Sequence, residues 1–90
     1  MVVPGLSVVS VAWMEERDLL GAVRVLQLME NGDTLELVHL PAGVAPALLP
    51  PVGDGRTQVL SPREGGWLVV RARASAEVLS ALLRRLEGGN

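Results

Sequence analysis

Apolar and polar residues alternate along this chain in two distinct periods. From Leu6 to Met14, LSVVSVAWM, the period is that of a strand. Val9, Val11 and Trp13 form one row, and Leu6, Val8, Ala12 and Met14, with Ser10 among them, form the other. Glu15-Glu16-Arg17-Asp18 then predicts a solvent loop. Ala22 to Leu40, AVRVLQLMENGDTLELVHL, carries two β-prone runs around Asn31-Gly32, the strongest short-range mark of a hairpin. A two-residue turn centred there pairs Leu28 with Leu35, Leu26 with Leu37 and Arg24 with His39. It also sets Glu30 against Asp33, an unfavourable pair at the mouth. A bulged Asn31-Gly32-Asp33 loop, with four or five residues outside the ladder, therefore stays open. In the two-residue register Leu26, Leu28, Leu35 and Leu37 share one face. Val23, Val25, Met29, Val38 and Leu40 share the other, interrupted by Gln27 and Glu36. A ribbon apolar on both sides predicts cover on both sides, or a strong twist or bulge that reconciles it with one core.

Pro41 to Arg56 holds four prolines, each fixing φ and removing a backbone donor. It reads as a crossing loop packed by Leu48, Leu49 and Val52, with one helical turn at Ala47-Leu48-Leu49 and a mobile tip at Gly53-Asp54-Gly55. Thr57 to Leu60 is a short strand, Ser61 to Gly66 a turn, and Trp67 to Arg73 a second strand. In that strand Leu68, Val70 and Ala72 face the core, Val69, Arg71 and Arg73 face solvent, and Trp67 falls at a rim. The period then changes to that of a helix. Ser75 is the N-cap with Glu77 in the first turn, and Val78, Leu79, Leu82, Leu83 and Leu86 make one apolar face. Arg84 and Arg85 lie on the solvated side near the C-terminal dipole, and Gly88-Gly89 ends the helix. The expected fold is α+β, an antiparallel sheet of about five strands (β-β-β-β-β-α) with one C-terminal helix packed on a face.

Composition limits the chemistry. Ninety residues make a single small domain that buries only about 60–65% of the surface of its unfolded chain. Cysteine is absent and His39 is the only histidine, so no disulfide, thiol nucleophile or credible zinc site is expected. The chain is 49% hydrophobic, with a mean hydropathy of +0.36. No apolar run approaches the roughly 18 residues of a membrane span. A thin core with so apolar a composition predicts that some apolar surface meets another protein. Eight arginines and ten acids, with no lysine, are scattered and give a net charge of −2. No basic stripe and no Tyr or Phe platform invites a nucleic acid.

Gly65-Gly66 precedes a strand, whereas phosphate-binding glycines follow a strand and open a helix. The helix here opens on Ser75-Ala76-Glu77, whose carboxylate would repel phosphate, so the glycine pair reads as a tight reversal. A serine triad would have to use the mid-strand His39, and Glu15 and Glu16 are adjacent loop residues pointing apart. No enzyme activity, cofactor, metal or small-molecule ligand is expected.

Gly65-Gly66-Trp67, a strand, a short linker and then E-x-L-x-x-L-L-x-x-L from Glu77 through Val78, Leu79 and Leu82 to Leu86 resemble the end of a known domain type. It is the soluble domain C-terminal to the membrane helix in bacterial anti-sigma factors of the zinc-finger-type superfamily. The hairpin Val23–Leu40 is similar to theirs as well. The likeness covers about two thirds of the chain and departs from the pattern at Leu60–Glu64, where the family carries an aromatic. It implies a sensor or protein-interaction domain excised from a longer parent chain, lying on the extracytoplasmic side of the membrane. In that setting the domain regulates transcription through protein contacts, with no insertion of its own into the membrane. The alternative is a free-standing cytoplasmic homodimer. In either case a protein partner or a second copy is expected, on a surface built from Val23, Val25, Val38, Leu40, Trp13 and Trp67, with edge pairing through Leu6–Met14 as the alternative geometry.

Overall fold

In the computed structural model, which describes residues 2–88, five strands form one antiparallel sheet. They are β1 (Ser7–Trp13), β2 (Val23–Leu28), β3 (Thr34–Pro41), β4 (Thr57–Arg63) and β5 (Gly66–Ala72), followed by helix α1 (Ala76–Leu86). Their spatial order is β1-β2-β3-β5-β4. β1 to β3 form a meander, β4 and β5 a hairpin, and the long connection after β3 brings β5 in against β3. The expected fold class is the observed one.

The β2–β3 turn takes the bulged form. Leu28 pairs with Thr34, Leu26 with Glu36 and Arg24 with Val38, one residue away from the two-residue register. Met29 donates to the Asp33 carbonyl at 2.8 Å and Gly32 to the Met29 carbonyl at 3.0 Å. Only Gly32 takes a positive φ, +90°. Asn31 instead accepts the Asp33 amide through its side chain at 2.9 Å. This turn also removes the facing of Glu30 and Asp33. A one-residue shift exchanges the partners on every face, so Val25 and Met29 join Leu35 and Leu37, while Leu26 and Leu28 join Val38 and Leu40.

With that register the two-sided ribbon resolves into two cores. On one face Val25, Leu35, Leu37, Leu68, Val70 and Ala72 meet the helix stripe and Val3. The Ser75 side chain caps α1 by accepting the Val78 amide at 3.2 Å. Leu79, Leu82, Leu83 and Leu86 are buried beneath the helix, whereas Val78, expected in the stripe, is exposed. Gly88, with φ +85°, follows the last turn and donates to Arg85 O at 3.1 Å; Gly89 lies outside the described residues. On the other face Val38, Leu40 and Val69 meet Leu19, Ala22 and Leu49, with Met14, Val44 and Trp67 at the margin. The loops after β1 and β3 are that second cover.

Several local expectations change as well. Val69 is buried, not solvent-facing, because the second cover lies over it; Arg71 is buried as well, beside Glu36 and Gln58, and Arg73 is exposed. Of the three residues expected to pack the crossing loop, Leu49 is buried, while Leu48 and Val52 stay exposed. The helical turn in that loop is a short 3-10 turn at Pro46–Leu48. β4 runs on to Arg63, so the reversal before β5 narrows to Glu64-Gly65, with Arg63 paired to Gly66. Gly66 has no room for a side chain, since a Cβ there would stand 1.8 Å from Leu40 O. Arg85, read as solvated, donates to the Pro4 carbonyl at 2.6 Å.

Candidate interaction surface

The six residues expected to form a partner surface do not form one. Val25 belongs to the helix-side core, and Val38 and Leu40 belong to the loop-side core. Val23 and Trp67 are half-buried at the margins of these two clusters. Trp13 alone of the six is open to solvent, at 71% exposure. The face assignment failed with the hairpin register, and the loops that bury Val38 and Leu40 carried no strong periodic signal.

Trp13 ends the strand that is open along its whole length. Every residue of β1 is exposed, and α1 lies over β4 and β5, at the far side of the sheet. Val9 and Val11 are each 61% exposed and Val8 48%. A bulge collects these side chains on one side. Val8 pairs with Gln27 and Ser10 with Leu26, leaving Val9 as the extra residue. Val8 shares the helix-side face of its partner Gln27. Val9, counted back from Ser10, falls there too, as do Val11 and Trp13 opposite Val25 and Val23. Ser10 and Ala12 take the other face. Without the bulge Val8 would lie with Ser10 and Ala12. Sequence alternation alone gave the row Val9, Val11 and Trp13 but placed Val8 outside it.

The bulge at Val9 is the one blunting feature of the β1 edge. The strand contains no proline and no charged residue, the usual devices that keep an edge strand from pairing with another chain. The other edge, β4, carries Pro62 and Arg63 and lies near the helix end, where Arg63 pairs with Glu87. The bulge bends β1 only at its start, and Ser10 to Trp13 pair regularly with β2. Met14 donates to the Ala22 carbonyl at 3.0 Å. Carried along the ladder, this alternation turns the amides and carbonyls of Val11 and Trp13 toward the open side.

The strand is held in place by a buried side chain that the sequence pattern registered only as an interruption. Gln27, with no exposed surface, accepts the Val3 amide at 2.8 Å and donates to the carbonyls of Val3 and Leu6, each at 3.0 Å. These bonds fold the N-terminal segment back over the helix-side core and fix where β1 begins. On the opposite face a polar row crosses the sheet. Arg24 pairs with Glu36 at 2.7 Å, Glu36 stands opposite Arg71, and Arg71 donates to Gln58 at 2.7 Å. Burial lowers the Arg71 pKa from its ordinary value, with Glu36 opposing that shift and Arg56 adding to it.

Concave features are small. A groove of about 350 Å³ between α1 and the β2–β3 turn has an apolar floor of Leu6, Met29 and Leu82, with Glu30 and Arg85 beside it. A second, of about 380 Å³, lies beside His39, Arg63 and Trp67. Among the described residues no three His, Cys, Asp or Glu side chains converge as a metal site. No helix among them is long and apolar enough to cross a membrane. Comparison with known families, curated proteins and solved structures finds no match.

Proposed function

We propose that this chain is a non-catalytic protein-interaction domain that meets its partner along β1. The open, uncharged β1 edge carries the reading, with Val8, Val9, Val11 and Trp13 exposed together. An extended strand added there would gain main-chain hydrogen bonds from β1 and apolar contacts from those four side chains. Photo-crosslinking inside the native cell tests this. A crosslinking residue at Val11 should give a discrete protein adduct, and one at the exposed Arg73 should not. Adducts from Arg73 with none from Val11 would move the contact surface away from β1.

The setting proposed for this contact is the one the resemblance implies, a sensor-side domain of a membrane-bound bacterial anti-sigma factor on the extracytoplasmic side. Most of the residues that carry the resemblance have packing roles here, although Gly65, Glu77 and Val78 are exposed. Gly66 admits β5 against Leu40, Trp67 adjoins the loop-side core, and the helix leucines fill the other. The resemblance is thus one of a strand–helix corner, and the contact reading does not depend on it. The genomic reading frame tests the setting. A membrane helix encoded just upstream of Val2 supports it, and a frame of about this length returns the chain to the free-standing alternative.

A further inference from the structure

We infer that the occupant of the β1 edge is a second copy of this chain, paired antiparallel about a two-fold axis at Val11. This inference rests on the contact reading above and names its partner. The open edge is self-complementary in that arrangement. Val11 meets the partner's Val11 and Trp13 falls opposite the partner's Val9, so the outward amide and carbonyl of Val11 face their counterparts and the exposed apolar side chains fall on a common face. The two sheets join into one, with both helices on the same side and the four apolar side chains of each β1 gathered between them. Such a two-fold contact uses the same patch on both copies and closes on itself.

Charge selects the direction. Glu15, Glu16 and Asp18 follow β1 directly. Parallel pairing would set these acids beside their counterparts. In the antiparallel arrangement Glu15 and Glu16 lie against the partner's Ser7 and Leu6, which are neutral, and no like charges meet. A seven-residue strand and its side chains bury roughly 500 Å² per copy, below the ~800 Å² of a standard interface, so a weak, reversible dimer is expected.

Sedimentation equilibrium between about 1 and 500 μM, with amide exchange by NMR, tests the pairing. The wild-type chain should pass from monomer to dimer across that range, and the Val11 and Trp13 amides should become protected only at the dimeric end. Val11→Lys should weaken association at least ~30-fold while its monomer melts within a few degrees of wild type. Val78→Lys, at an exposed apolar position on the helix, should associate as wild type. A monomer at all concentrations overturns the self-pairing, as does a Val11→Lys variant that still dimerises. So does a Val78→Lys variant weakened as much as Val11→Lys. A hydrophobic-surface dye separates the two readings. A wild-type monomer whose dye binding is lost in Val11→Lys overturns the self-pairing and leaves β1 as the contact surface for another protein. A monomer that binds no dye overturns both.

Discussion

Gly66 and Gly32 both have positive φ, 153° and 90°, yet the two differ in what surrounds them. A Cβ on Gly32 meets nothing within 4 Å, whereas one on Gly66 runs into the Leu40 carbonyl. Gly32→Ala should therefore cost only the conformational penalty, about 1 kcal/mol. Gly66→Ala must push β5 away from β3, and should cost more than about 3 kcal/mol or prevent folding. Urea melts of the two variants read the difference, and equal losses would mean that backbone conformation alone decides. Gln27 makes the complementary case for a buried polar group. Gln27→Leu keeps the volume but strips partners from the Val3 amide and from two carbonyls, so a loss of about 2–4 kcal/mol is expected. Amide exchange at Val3 should accelerate well beyond the global change, because the N-terminal segment loses its tether first.

Helix α1 was legible in the sequence because two independent signals agree on it, the Ser75 cap and the leucine period. Only Val78 departs, and it does so because the helix lies over one side of the sheet and leaves that flank in solvent. Leu79→Ala should cost about 2–5 kcal/mol and Val78→Ala under about 0.5 kcal/mol, measured side by side by thermal or urea melts. The strands were legible as elements, and so was their joining into one antiparallel sheet. Their faces were less so. Asn31-Gly32 is compatible with two turns that differ by one residue, and that residue moves Val25 into one core and Leu26 out of it. β5 shows a second limit. Leu68, Val70 and Ala72 face the helix as alternation predicts, but Val69 is buried too, by loops with no period to announce them. Of the candidate surface, Trp13 survives as an exposed residue, whereas Val25 was drawn from a register the chain does not adopt and Val38 and Leu40 are covered by the loops.

At the scale of the molecule the sheet divides two cores, and the loop-side one is as dry at its centre as the other. Leu19 is 2% exposed and Val69 has no exposed surface. Leu19→Ala should therefore destabilise by about 2–5 kcal/mol, like a helix-side leucine, although it comes from a connection between strands. A loss below about 1 kcal/mol would mark the second cover as loosely attached. The order of the strands also bears on how the chain reaches this state. Every neighbouring pair but one is joined by a short or local connection. The exception is β3 with β5, where Pro41 meets Gly66 only after the proline-rich loop and all of β4 have been threaded past. The meander and the β4–β5 hairpin can each form early, and the search that brings them together is the slow event. Inserting about ten glycine and serine residues at Gly53-Asp54-Gly55 lengthens that search without touching a buried contact. Stopped-flow folding should slow about 1.5- to 2-fold while the unfolding rate stays unchanged.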